Sequence, residues 1–64
     1  MRVRVGDLIM FKYDEYFGLH REPSYYLITK TRNHFRYEAI FLSDGCVTAL
    51  DKAYVQKYGE IVKS

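Results

Sequence analysis

One cysteine, one proline, four glycines and no apolar run of membrane-spanning length occur among the 64 residues. Each shortage removes a class of protein. Cys46 alone cannot close an intramolecular disulfide, whereas secreted domains of this size are usually stapled by several. A reducing, cytoplasmic setting is therefore expected. No segment approaches the ~20 apolar residues of a membrane helix and the first residues do not read as a signal peptide, so no membrane association is expected. Catalytic patterns are missing too. There is no Gly-rich phosphate loop, no Cys/His set with zinc spacing, and no close acidic pair beyond Asp14 and Glu15. His20 and His34 read as surface histidines, and Cys46, in an apolar stretch, reads as a buried structural thiol. A chain this short hardly encloses a substrate pocket. The expectation is a non-catalytic protein with no cofactor and no metal.

Aromatic residues are what the chain does have: seven Tyr and four Phe, 17% of the sequence. A domain near this size buries only about 60% of the surface its unfolded chain exposes. Ordering each residue costs roughly 1.5 kcal/mol, so the core must be dense in large side chains. Each aromatic ring brings about 150–250 Å² to that task. With so many rings in so small a volume, some lie at the surface, which is the first sign of a binding face.

Hydrophobic alternation and turn residues divide residues 1–64 into the strands of one domain. Arg2–Val5 alternates charged and apolar residues as a half-buried strand does, and Gly6-Asp7 punctuates it. Leu8–Tyr13 reads as the next strand segment, and Asp14–Pro23 as the longest irregular stretch. Pro23 cannot donate to a ladder and marks a strand entrance. Ser24–Lys30 and His34–Leu42 carry the clearest strand patterns. A two-residue turn at Arg32-Asn33 would set Thr31 opposite His34, Lys30 opposite Phe35, Ile28 opposite Tyr37 and Tyr26 opposite Ala39. One face of that hairpin then carries Tyr26, Ile28, Phe35, Tyr37, Ala39 and Phe41 into the core. The other carries Thr29, Thr31, His34, Arg36 and Glu38 into water. Ser43-Asp44-Gly45 is a turn with Gly45 free for positive φ. Cys46–Leu50 follows as a strand, Asp51 can cap a helical turn bearing Tyr54 and Tyr58, Gly59 can end it, and Glu60–Val62 closes the chain as a last strand. The expected core is Ile9, Phe11, Ile28, Tyr37, Ala39, Phe41, Val47 and Val55.

This order of elements, with Val5–Ile9, Ser43–Gly45 and Asp51–Val55, resembles small SH3-like and KOW-type β-barrel proteins, including small barrels encoded by tailed bacteriophages. The likeness covers almost the whole chain. It implies an all-β fold: a single SH3-like barrel of about five strands with one short helical turn before the last strand. Leu42 stands where such proteins often have an aromatic before the Ser-Asp-Gly turn. The Ala-Leu-Tyr-Asp-Tyr segment of eukaryotic signalling SH3 domains is missing, so proline-rich peptide recognition is not implied.

Two surfaces stand out. Lys30, Arg32, His34 and Arg36 fall in a stretch without an acid, although ten Lys and Arg against eight Asp and Glu leave a formal net charge of only +2. Such a basic hairpin can meet successive phosphates, and Tyr25 nearby can stack on a base. The first expectation is thus a nucleic-acid-associated binding module. The alternative is a phage-type small protein that binds and modulates a host protein through an aromatic loop, Tyr16, Phe17 and Leu19, together with edge strands.

Overall fold

Period-two burial decides the sheet. The structure, a computed structural model, describes residues 2–12 and 23–62. Five strands, β1 (Leu8–Phe11), β2 (Ser24–Thr31), β3 (Arg36–Phe41), β4 (Val47–Asp51) and β5 (Gly59–Val62), form one antiparallel sheet in the order β4-β3-β2-β1-β5. A single helix, α1 (Lys52–Tyr58), lies between β4 and β5. Among the described residues the domain is therefore mostly β, with one short helix before the last strand. No ladder joins β4 to β5 there.

The core draws on β1 to β4 and on α1: Ile9, Phe11, Tyr26, Ile28, Tyr37, Ala39, Phe41, Leu50 and Val55 are buried. Ile61 of β5, Val3 and Tyr54 pack against them. Ser24, Phe11 and Gly59 stand side by side across β2, β1 and β5. The small neighbours leave room for the Phe11 ring, which meets Tyr26 edge-on at 5.4 Å and Tyr54 at 5.1 Å. Tyr26 in turn stacks on Phe41 at 5.0 Å. Such ring pairs contribute about 0.5–1.5 kcal/mol each beyond the area they bury.

The hairpin between β2 and β3 differs from the expected register. Tyr26 faces Phe41 and Ile28 faces Ala39, two residues along from the pairs a tight Arg32-Asn33 turn would set. An even shift keeps side chains on their faces as far as the irregularity after Ile28, so the core assignments of Tyr26, Ile28, Tyr37, Ala39 and Phe41 survive, whereas Thr31, expected in water, stands opposite Tyr37. The loop runs instead from Arg32 to Phe35, because the Asn33 carboxamide oxygen accepts from both Phe35 N (2.8 Å) and Arg36 N (2.9 Å). A bulge between Ile28 and Lys30 then sets Lys30 opposite Glu38. The Thr29 hydroxyl donates to Glu38 O across this break, at 3.1 Å. Phe35 consequently leaves the core and is 76% exposed.

Other expectations change with it. Arg2–Val5 forms no strand: the Asp7 carboxylate accepts from Arg4 N (2.7 Å), Asp7 N donates to Arg4 O (3.0 Å), and Gly6 takes φ 94°. β1 ends at Phe11, while Tyr13 and the irregular stretch as far as Glu22 lie outside the described residues. Gly45 does adopt positive φ, at 74°. Cys46 precedes β4 rather than joining it and is exposed, because Cys46 N donates to Asp44 Oδ1 (2.8 Å) and so belongs to the turn. Val47, expected in the core, opens β4 on the outer face at 65% exposure, and Leu50, three residues on and of opposite parity, is buried instead. Asp51 stands at the helix N-cap without a side-chain capping bond, since its Oδ1 takes Arg36 Nε at 3.1 Å.

A seven-residue helix is too short to stand alone. Buried Val55 and the Tyr54 ring hold it down, and Gly59 N–H closes it onto Val55 O. Gly59 ends the helix in an extended conformation, φ −82°, so glycine is required here for close approach rather than for a left-handed turn. A Cβ would sit 2.7 Å from Val55 O and 2.9 Å from Ile9 Cγ2.

Two outcomes follow for stability. Phe41→Ala removes a buried ring and should lose about 3–5 kcal/mol, a large share of the roughly 3–10 kcal/mol available to a domain of this length. Urea denaturation followed by circular dichroism will read that loss directly. Gly59→Ala should cost about 1–3 kcal/mol by overpacking; an unchanged urea midpoint would show that β5 can shift away from α1.

Candidate functional site

Ladder partners share a face, so the register assigns the outer surface of the sheet without ambiguity. Val62, Leu8, Leu27, Ile40 and Val47 form one row across all five strands. At 4.7–4.9 Å per strand the row is about 19 Å long. Met10 and Tyr25 stand opposite each other in the next row, and Leu42, half exposed, follows β3 beside Tyr25, whose carbonyl accepts from Leu42 N at 3.0 Å. The face is thus largely apolar at the end where β2 begins, with Glu60 of β5, opposite Met10, as an acid at its edge. Toward the other end the pairs become charged: Lys30 opposite Glu38, then Arg36 opposite Asp51.

The charged end carries the expected basic residues, and the structure separates them into two kinds. Lys30 Nζ lies 3.7 Å from Glu38 Oε2, and Arg36 Nε lies 3.1 Å from Asp51 Oδ1. These exposed pairs contribute little to stability, but each cation carries its counter-charge with it. Arg32 and His34 lie in the loop from Arg32 to Phe35, exposed and without an acid within ion-pair distance among the described residues. Lys52 joins them from the start of α1. Its N–H donates to Phe35 O at 2.8 Å, and its ammonium lies 5.0 Å from the centre of the Tyr37 ring. Lys30, Arg32, Arg36 and Lys52 against Glu38 and Asp51 leave an excess at this end equal to the whole chain's formal net charge of +2.

Phe35 stands among these cations. Its N–H is held by Asn33 and its carbonyl by Lys52, so both backbone groups are fixed while the ring faces solvent. A shallow depression of about 600 Å³ opens beside it between the hairpin tip and the start of α1, lined by Asn33, His34, Arg36, Asp51 and Lys52. Neither Phe35 nor Lys52 belongs to the site expected from sequence. Asn33, which binds the amides two and three residues on as Asn does in turns, was the one local sign of a wider loop and hence of an exposed Phe35. Nothing local marks Lys52, because a long-range contact brings it to the tip.

Tyr25 is not part of this cluster. It lies on the outer face of β2, seven residues before Arg32, which is about 23 Å along an extended strand. Tyr16, Phe17 and Leu19 lie outside the described residues. Among the described residues no group of three or more His, Cys, Asp and Glu could hold a metal ion, and no helix is long and apolar enough to cross a membrane. No protein-family model, curated protein or solved structure matches the chain.

Cys46, although exposed, is not poised as a nucleophile. The Asp44 charge, and then its hydrogen bond to the thiol, raise the thiol pKa above its ordinary value, since both favour the protonated sulfur. Asp44→Asn removes the charge, so the thiolate forms at lower pH. Alkylation by iodoacetamide at about pH 8 should therefore be faster in that variant than in the parent; an equal or slower rate would mean that Asp44 does not govern the thiol.

Proposed function

We propose that this protein is a non-catalytic binding module that associates with nucleic acid through the end of the sheet formed by the β2–β3 loop and the start of α1, in a cytoplasmic setting. The observation that carries this reading is the gathering of Arg32, His34 and Lys52, from two separate segments, around the Phe35 loop, with no ion pair to an acid among the described residues. Lys and Arg that keep their charge can displace counterions from a phosphate backbone, whereas a cation already neutralised by a carboxylate releases less. Arg32 and Lys52 are therefore the principal phosphate contacts, and Lys30 and Arg36 contribute through their charge pairs. The curled sheet is read as an SH3-like barrel. Support comes from a core in which all five strands and α1 take part, and from the helix standing before the last strand.

One observation favours a second reading. The apolar row on the outer face, with Val47 and Leu42 well exposed, is a surface a host protein could cover, and β4 and β5 are the sheet edges beside it. That surface holds none of the cations.

The two readings separate in a titration of labelled oligonucleotide at several salt concentrations. Arg32→Gln with Lys52→Gln should weaken binding and make it less salt-sensitive. The log–log salt slope should shrink by about 0.7 for each phosphate no longer neutralised on a single strand, or about 0.9 on a duplex. Lys30→Gln alone should change both quantities less. A double variant that binds as the parent does, with an unchanged slope, would take the phosphate contacts away from Arg32 and Lys52, and a parent that binds no oligonucleotide would remove the nucleic-acid reading in favour of the apolar face.

A further inference from the structure

The tip holds more than charge, and its form bears on which nucleic acid it takes. Resting on the nucleic-acid reading above, we propose that the ligand is single-stranded, with one unpaired base stacked on the Phe35 ring and the adjoining phosphates on Arg32 and Lys52. A ring left in water adds nothing to the core, and its apolar face stays open to a ligand. Phe35 is the most exposed large apolar residue among those described, at 76%. It is also held there: Asn33 Oδ1 takes its N–H at 2.8 Å, and Lys52 N–H donates to its carbonyl at 2.8 Å. A residue whose backbone is held in this way loses little main-chain freedom when a ligand covers its ring, which favours a stacking platform.

The surroundings select for an unpaired base. In a duplex the faces of the bases are stacked on one another, so only edges and phosphates are on offer. An exposed ring in a loop that also carries Arg32, with Lys52 bonded to its carbonyl, suits a base whose face is free. Arg32 lies before the ring in the same loop, and Lys52 arrives from α1 on the far side of the Phe35 carbonyl. The depression next to the ring, about 600 Å³, falls within the range of small-ligand sites and can take a nucleobase lying against Phe35. Asn33, whose carboxamide NH2 can donate, and His34 line it and offer hydrogen bonds to a base edge. A single stacking platform predicts little sequence preference, because every base has a π-face.

The test uses the intact protein with a labelled single strand of about ten nucleotides, and with the same sequence as a duplex. The parent should bind the single strand more tightly than the duplex. Phe35→Ala should weaken single-strand binding by about 5- to 150-fold while leaving the salt slope unchanged. Phe35→Leu keeps the apolar volume but not the π-face and should behave like the alanine variant, whereas Phe35→Trp should bind at least as tightly as the parent. Melting curves verify that each variant folds, as an exposed side chain predicts. A fluorescent base analogue moved along the strand should be quenched at one position, and the quenching should vanish with Phe35→Leu. Single-strand binding that depends on Arg32 and Lys52 but is indifferent to Phe35→Leu would overturn this inference and leave the nucleic-acid reading standing. Duplex binding as tight as single-strand binding would overturn it too. A parent that binds neither form would overturn both.

Discussion

The close approach of α1 and β5 to the Phe11 ring is the constraint on which the rest of the structure depends. Phe11 is flanked across the sheet by Ser24 and Gly59, and no larger pair would leave its ring space beside Tyr26 and Tyr54. Gly59 has no room for a Cβ, because Val55 O and Ile9 Cγ2 occupy that position. In so small a chain the apolar area available is barely enough to offset conformational entropy. Packing the helix end, the last strand and an aromatic ring at one point is how this sequence reaches sufficient density. β5 pairs with β1, so the same contact secures the far edge of the sheet.

The other half of the molecule depends on β2. Its first residues pair with β1 and its later ones with β3, with only Tyr26 and Leu27 paired on both sides. The bulge between Ile28 and Lys30 comes just after that shared segment. It turns Lys30 toward Glu38 and lets the strand lead into the wider Asn33 loop. The outer surface is divided accordingly, apolar where β2 is paired on both sides and charged beyond the bulge. The two functional readings correspond to these two regions, which is why they can be separated by substitution.

At the charged end, pairing matters more than the number of cations. Lys30 and Arg36 are adjacent to Glu38 and Asp51 only because the register makes them so. The same register frees Asp51 from capping α1 and brings Lys52 against Phe35. A stretch that reads as uniformly basic becomes, in three dimensions, two neutralised pairs beside a smaller group that keeps its charge.

Alternation and turn chemistry alone determined the five strands that form, to within a few residues, the position of the helix, the positive φ of Gly45 and most of the core from Ile9 to Val55, because these follow from a period of two and from local backbone preference. The two-residue shift of the β2–β3 register left Tyr26, Ile28, Tyr37, Ala39 and Phe41 inward, since parity sets the face within an unbroken ladder, while Phe35, in the widened loop, went outward. Tertiary structure decided what parity and local preference cannot. Asn33's two hydrogen bonds widened the loop and turned Phe35 outward, and Asp7's bond to Arg4 removed the first expected strand. Asp44's bond drew Cys46 into the turn, and the pairing of Arg36 with Asp51 left the helix uncapped. Each of these is a polar side chain choosing between backbone and side-chain partners of similar strength. Such a choice is settled by which partner the folded chain brings within about 3 Å, and no pattern along the sequence encodes that distance.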